Sequence, residues 1–105
     1  MKDNQSINSI FFSEDKISDL SDFFKIMGDN TRLKILIVLI HNKYCVNEIA
    51  DIIGLSQSAV SHQLKVLRKS KLVKTTRKGR YIYYSLDDEH VDTILNMAIE
   101  HINEN

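Results

Sequence analysis

Hydrophobic residues recur at intervals of three and four along much of this chain, a spacing that predicts amphipathic helices. One such helix covers residues 17–27 and ends at Gly28. The next begins near Asp29 or Asn30, either of which can cap it, and it is apolar on nearly every side. We therefore expect it to be the central core helix. The preceding residues 6–12 are interpreted as a further helical turn or an arm.

Two shorter hydrophobic segments follow, separated by a glycine, in a pattern typical of a helix-turn-helix. A helix over residues 46–53 is predicted to end at Gly54, since glycine accepts the left-handed conformation found at many helix ends. Ser56 can then cap a second helix that runs to about Ser70. The helix-turn-helix is thus predicted over about 46–70.

The pattern changes after this motif, where β-branched and aromatic residues predict two strands. The strands are expected roughly over 72–76 and 81–86, with the cationic segment 77–80 at the turn, which together form a wing over about 72–86. Helical spacing returns from about 88 to 103. The predicted fold is therefore mostly α with a small β-hairpin: residues 1–105 form a single winged helix-turn-helix domain.

Composition fits a single globular domain with no membrane partner. The 105 residues are 43% hydrophobic and 27% charged and include no proline. The longest apolar run, residues 35–40, is far too short to span a bilayer, and a lone Cys45 cannot form a disulfide framework. These features lead us to expect a cytoplasmic location.

Net charge is zero, but the charges are segregated along the chain. Residues 52–86 contain eight cations and no acid, whereas the rest holds the other six of fourteen cations and all fourteen acids, a net charge of −8. A strongly basic segment by itself is often only a solvated surface. This one, however, coincides with the predicted helix-turn-helix. We therefore expect one surface that binds a polyanion.

The second helix of the motif has a polar face suited to double-stranded DNA. Its short hydroxyls and an imidazole come first and its cations later, so the N-terminal half can contact base edges while the rest lies beside phosphates. The wing cations would add salt-sensitive affinity. The predicted DNA-binding residues are Gln57, Ser58, Ser61, His62, Lys65, Arg68, Lys69, Arg77, Lys78 and Arg80.

Four potential metal ligands lie on the C-terminal helix, but they are too far apart to share a metal within one chain. His90 and His101 are separated by about three turns, so they share a direction but stand ~16 Å apart. Asp88 and Glu104 are ~24 Å apart, whereas zinc–ligand bonds are about 2 Å long. One helix cannot close this site.

An antiparallel pair of these helices across a twofold axis would bring the ligands together. In such a pair, residue i of one helix faces residue j of the other when the sum i + j is the same for every facing pair. The sum is 191 for His90 with His101 and 192 for Asp88 with Glu104, so one alignment of the helices nearly satisfies both pairs. Two identical sites would result, with the axis passing near Leu95 and Asn96. The spacing thus predicts a homodimer formed through the helix over about 88–103, and we also expect the helix over about 17–27 to take part in the dimer contact.

Each ligand also has an ordinary structural interpretation. Asp88 can cap the helix, His101 can be a cation at the helix end, and Glu104 can be a solvated tail residue. Spacing alone leaves both interpretations open.

Several segments resemble the ArsR/SmtB family of winged-helix, metal-sensing repressors: "DNTRLKIL", "SQSAVSHQLKVLRKSKLV", "GRYIYYSL", and a terminal DxH followed by HxxE. The resemblance covers roughly residues 17–105 and is strongest for the zinc-responsive subset. It implies a homodimer with two metal sites spanning the C-terminal helices. It also implies that the metal-free dimer binds an operator and that metal releases it, derepressing genes for metal efflux or sequestration.

The chain departs from family members that sense thiophilic ions, which carry a cysteine pair in a pattern like CVC. Here the segment is "YCVNE", so Asn47 stands where the second thiolate would be, and we expect Cys45 to be a small buried hydrophobe. The remaining set of two imidazoles and two carboxylates suits tetrahedral Zn²⁺, with Co²⁺ as a laboratory substitute.

Three alternatives differ in what the metal does. The chain can be a winged-helix regulator that does not respond to metal, or one in which metal only holds the dimer together. A metalloenzyme is disfavoured, because catalytic zinc keeps an open position while four protein ligands are present here. No nucleophile is recognisably paired with a base. We therefore expect a regulator and not an enzyme.

Overall fold

The computed structural model describes residues 13–104, which form five helices and one β-hairpin. The expected arm at residues 6–12 lies outside this range. In chain order the elements are α1 (Glu14–Met27), α2 (Asn30–Val38), α3 (Val46–Ile53), α4 (Gln57–Lys69), β1 (Val73–Lys78), β2 (Tyr81–Leu86) and α5 (Glu89–Asn103).

Local capping sets the beginnings of the first two helices. Ser13 accepts a hydrogen bond from the main-chain N–H of Lys16 at 3.3 Å, so α1 begins three residues before the predicted Ile17. Asp29 accepts from the N–H of Arg32 at 3.1 Å and caps α2, as one of the two expected residues. The capping residue therefore decides where each helix starts.

The helix-turn-helix is formed by α3 and α4, and the predicted limits of α3 are confirmed. Gly54 has φ 76° and its N–H donates to the carbonyl of Ala50 at 2.8 Å, which ends α3 in the left-handed conformation. Ser56 Oγ accepts from the N–H of Ala59 at 3.1 Å and caps α4. The turn between the helices therefore covers the three residues 54–56, and it begins and ends with the two residues, Gly54 and Ser56, that the sequence marks most clearly.

The wing differs from the predicted one at its tip. Strand β1 extends through Arg77 and Lys78, which pair with Ile82 and Tyr81, so the turn contains only Gly79 and Arg80. Gly79 has φ 62°, which suits the first position of a tight hairpin turn. Cationic side chains are tolerated in an exposed hairpin, so the charge of residues 77–80 did not mark a loop.

Helices α2, α3 and α4 and the start of β1 enclose the core. Its fully buried side chains are Ile35, Leu36, Ile49, Val60, Leu64, Leu67, Leu72 and Val73. Each contributes about 1.5–3 kcal/mol through burial. Helix α2 lies in this core as expected, but it is not buried on every side, because the side chain of Ile37 is 41% exposed.

The first and last helices keep part of their hydrophobic surface in solvent. On α1, Ile17, Leu20 and Phe24 are exposed on one face, and on α5 Met97 and Ile102 are 61% and 69% exposed. We call these residues the open apolar faces. Exposed patches of this kind mark interaction sites in many proteins. No helix within residues 13–104 combines the length and hydropathy needed to cross a membrane.

Candidate DNA-binding and metal-binding sites

Helix α4 separates its apolar and polar residues cleanly. Val60, Leu64 and Leu67 are buried against the core. The opposite side is solvent-exposed and carries all the residues expected to contact DNA on this helix: Gln57, Ser58, Ser61, His62, Lys65, Arg68 and Lys69. We call this set the α4 polar face. The hydroxyls lie toward the capped N-terminus and the cations toward the C-terminus, in the predicted order.

The wing cations are exposed but do not form one cluster. Arg77 and Lys78 are successive residues of β1, so their side chains point to opposite faces of the hairpin. Arg80 lies in the turn itself. The two strand cations therefore lie on opposite faces of the hairpin, with Arg80 at its tip.

A cleft of about 410 Å³ lies between α4 and the wing. Its walls include the α4 polar-face residues Ser61, His62, Lys65 and Arg68, and Tyr84 of β2 forms another wall. Tyr84 also packs against the core. Alternation in phase with the buried Leu86 could predict the packing of Tyr84 but not its position in the cleft.

The two carboxylate oxygens of Asp88 contact different partners. Oδ1 accepts from the main-chain N–H groups of His90 at 2.9 Å and Val91 at 3.2 Å, and so caps α5. Oδ2 lies 3.4 Å from Nδ1 of His90. Hydrogen bonding from the Val91 N–H is the main factor that lowers the pKa of Asp88. The carboxylate is therefore ionised at neutral pH, and two of the four predicted ligands lie beside each other.

The other two ligands lie at the far end of α5. Glu104 ends the helix, with its N–H donating to the carbonyl of His101 at 3.3 Å. Within residues 13–104 no group of three or more potential ligands is close enough to hold a metal. A single chain thus brings together Asp88 and His90 but not all four ligands, as the helix geometry requires.

Helix α5 directs its potential ligands away from its own core. Val91 and Leu95 are buried within the chain, whereas His90 and His101 are exposed. At 100° per residue both histidines lie on the same side as Ile94 and the open apolar residue Met97. The axis near Leu95 and Asn96 remains a prediction. Leu95 is buried within its own chain, so the exposed side chains at that level of the helix are those of Asn96 and Met97.

Cys45 is not the buried hydrophobe that the sequence suggested. It is only partly buried at the start of α3, and its Sγ lies 2.7 Å from Oδ1 of Asn47 and 3.1 Å from Oε1 of Glu48. Desolvation and the hydrogen bond to Glu48 raise the pKa of the thiol. Cys45 thus lies at the start of α3, whereas the predicted metal ligands lie at the two ends of α5.

Comparison with known proteins shows the family of this chain. Residues 29–75 match the model of the family described as bacterial regulatory protein, arsR family. The sequence is also 39% identical over 92 residues to the transcriptional repressor SmtB homolog of a Synechocystis species, covering 88% of this chain and 70% of that protein. This chain belongs to the arsR family.

The name of a further arsR-family relative mentions a metal. The cadmium resistance transcriptional regulatory protein CadC homolog of Staphylococcus aureus is 39% identical over 84 residues, which cover 79% of this chain and 69% of that protein. Family membership confirms the resemblance seen in the sequence, and with it the expectation of a regulatory protein rather than an enzyme.

Solved structures share the winged-helix fold of this arsR-family chain. The solution structure of apo-NmtR has a TM-score of 0.78 and 38% identity, covering 90% of this chain and 79% of that one. The homodimeric winged helix-turn-helix DNA-binding domain Mb0332 from Mycobacterium bovis has a TM-score of 0.80 and 25% identity, covering 89% of each chain. The predicted fold class is therefore confirmed.

Proposed function

We propose that this arsR-family chain is a zinc-responsive transcriptional repressor that binds double-stranded operator DNA as a homodimer. The observation that carries the proposal is the arrangement of Asp88 and His90. Their side chains lie 3.4 Å apart at one end of a helix whose outward side is not covered by its own chain, where they would supply half of a metal site. The other half requires a second copy of that helix.

Antiparallel pairing of α5 would complete two equivalent sites. Asp88 and His90 of one chain would lie beside His101 of the partner subunit and Glu104 of the partner subunit. The open apolar faces of α1 and α5 would be removed from water by the same contact, which provides the driving force for association. The homodimeric relative from Mycobacterium bovis supports this assembly.

The ligand set supports zinc as the metal. Two imidazoles and two carboxylates provide four nitrogen or oxygen donors, which suits tetrahedral Zn²⁺ and permits Co²⁺ as a substitute. Within the described chain the lone thiol, Cys45, is partly buried and hydrogen-bonded near α3, not near α5. The site therefore lacks the thiolates that soft ions such as cadmium prefer. When bound, the metal would supply a rigid connection between the two α5 helices.

Repression and release follow from the spacing of the two DNA-reading surfaces. In the dimer each α4 polar face would enter a major groove, and the two must match half-sites about one helical turn apart. Arg80 and one strand cation of each wing would contact the backbone. Zinc favours a dimer angle that mismatches this spacing, so it releases the operator and derepresses metal efflux or resistance genes in the cytoplasm.

A titration of zinc against DNA tests this proposal. A duplex is first selected from a random-sequence pool by metal-free protein, and its affinity is then measured with and without zinc. We expect zinc to weaken binding about 5–150-fold, and DNA to weaken zinc binding by the same factor because linkage is reciprocal. Equal DNA affinity for metal-free and zinc-loaded protein would rule out the switch.

A regulator that does not respond to metal is the second candidate. It is favoured by the fact that one chain brings together only two of the four ligands in its described part. Equilibrium dialysis separates the two candidates. Retention of no zinc at micromolar concentration, by a protein that selects a DNA sequence, would establish the metal-independent regulator.

A further inference from the structure

Arg32 belongs to the segment "DNTRLKIL" and has no part in the sites described above, yet its guanidinium connects three helices. Arg32 lies in the first turn of α2. Its Nε donates to the main-chain carbonyl of Ile26, in the last turn of α1, at 2.9 Å. Its Nη1 donates to Oε1 of Gln63 on α4 at 3.2 Å. One side chain therefore links the end of α1 to the helix that carries the DNA-reading face.

Capping of α1 does not explain both contacts. The last carbonyls of a helix lack intrahelical partners, and a cation near them is favourable. The bond to Ile26 alone meets that need. Within residues 13–104 no carboxylate lies within ion-pair distance of the Arg32 guanidinium, so the bond to Gln63 is not a by-product of a salt bridge.

Gln63 is well placed to control the orientation of α4. It is half-buried and stands between His62, on the α4 polar face, and Leu64, in the core. The core contacts of α4 are apolar and have no strong directional preference, whereas a hydrogen bond constrains angle as well as distance. In the described chain, the bond to Arg32 is the side-chain hydrogen bond that joins α4 to another helix.

We propose that Arg32 is a positioning residue that orients the α4 polar face relative to the end of α1. This rests on the proposed function, in which α1 forms part of the dimer contact and α4 reads DNA. A change in the position of α1 reaches α4 through one planar guanidinium, whose two donors have a fixed relative geometry. The dimer angle and the direction of the DNA-reading face are thereby coupled.

The test compares Arg32→Gln and Gln63→Leu with the control Lys34→Gln, which removes an exposed cation from the same helix. Affinity of the metal-free full chain is measured for the duplex selected by wild-type protein and for a shuffled duplex. We expect both test variants to bind the selected duplex about fivefold to tenfold more weakly, with little change for the shuffled one. The double variant should resemble the single ones, because either change breaks the same link.

Arg32→Lys provides a second, milder variant. An ammonium can donate to one of the two acceptors but does not reproduce the fixed fork that bridges them, so we expect intermediate selectivity. Full wild-type selectivity in this variant would overturn the two-contact link. The proposal is equally wrong if Arg32→Gln and Gln63→Leu lower the melting temperature but leave the selected-to-shuffled ratio at the wild-type value.

Failure of the DNA-binding part of the proposed function would look different, because wild-type protein would then prefer no duplex. The link is tested without DNA by amide hydrogen exchange of α4 in the metal-free chain. We expect faster exchange in α4 for Arg32→Gln and Gln63→Leu than for Lys34→Gln. Equal exchange rates in all three variants would overturn the link.

Discussion

Asp88 shows how one side chain can serve both the fold and the candidate metal site. Its Oδ1 caps α5, while Oδ2 faces the imidazole of His90. The structural and the metal-binding interpretations of this residue are therefore compatible, since each uses a different oxygen. A substitution that keeps the cap and removes the charge can separate them.

Asp88→Asn is that substitution. Asparagine caps helices about as well as aspartate, so we expect an almost unchanged melting temperature. Zinc affinity should fall at least about tenfold, because a neutral amide is a weaker ligand than a carboxylate. Both are measured on metal-free protein, by thermal unfolding and by competition with a chelator. Asp87→Asn is the control, and equal zinc affinity in the two variants would mean that Asp88 is only a cap.

Cys45 gives a prediction about pH. Because burial and the hydrogen bond to Glu48 raise the pKa of its thiol, less thiolate is present at neutral pH than in a free cysteine. Alkylation by iodoacetamide should therefore be slow, with its midpoint shifted to higher pH. Cys45 is the single cysteine of the sequence, so the rate reports on it directly.

Glu48→Gln tests the cause of this shift. The substitution removes the negative charge beside the thiol, so the midpoint of alkylation should move to lower pH and the rate at neutral pH should rise. Wild-type protein that reacts as fast as a free thiol, or a variant with an unchanged midpoint, would contradict the assigned hydrogen bond.

At the scale of elements, the turn of the helix-turn-helix depends on one left-handed residue. A Cβ at Gly54 would contact nothing within 4 Å, so only the backbone conformation at φ 76° opposes a larger residue. Gly54→Ala should therefore reduce the free energy of unfolding by about 1 kcal/mol. Gly54→Asn should cost less, since asparagine tolerates this conformation better. Denaturant unfolding measures both, and an equally stable Gly54→Ala would show that the turn has another geometry.

Within the α4 polar face, we expect some residues to set the preferred DNA sequence and others to set the general affinity for DNA. Lys69→Gln is expected to lower the slope of log affinity against log salt by about 1 without altering the preferred sequence, because it removes one phosphate contact. Ser61→Ala should change the preferred sequence and leave that slope alone. Binding at several salt concentrations and repeated duplex selection measure the two effects. A Lys69→Gln slope equal to that of wild type would place this lysine outside the DNA contact.

The elements differ in how well the sequence predicts them, and the difference has a physical cause. The limits of α3 and the caps at Asp29 and Ser56 depend on neighbouring residues, so they could be predicted. The strand through Arg77 could not, because pairing with β2, and not local charge, decides it. The exposure of Cys45 is likewise a tertiary property.

At the scale of the whole molecule, the contacts between distant segments were beyond sequence reasoning. The bond from Arg32 to Gln63 joins residues 31 apart, and the cleft wall at Tyr84 depends on how the wing folds against α4. The spacing of the four ligands, in contrast, could be calculated in advance, since an α-helix has a fixed rise and twist. That calculation predicts a site that only two chains can complete.

Charge and exposed hydrophobic surface lie on different elements of the chain. The basic segment 52–86 holds α4 and the wing, whereas the open apolar faces lie on α1 and α5, outside that segment. DNA contact and dimer contact would then use separate surfaces of one small domain. Zinc bound at the dimer contact would alter the DNA-binding surface without itself contacting DNA.

Mixing two defective variants tests the central claim, that each metal site is shared between chains. One variant carries Asp88→Ala and His90→Ala, and the other carries His101→Ala and Glu104→Ala. Each alone should lose tight zinc binding, measured by the tetrahedral Co²⁺ spectrum and by zinc stoichiometry.

After subunit exchange at equal amounts, half of the dimers are mixed and each of these has one intact site. The account predicts recovery of about one quarter of the wild-type zinc capacity, with a tetrahedral spectrum. No recovery, in a sample shown to contain mixed dimers, would contradict a site built from two chains.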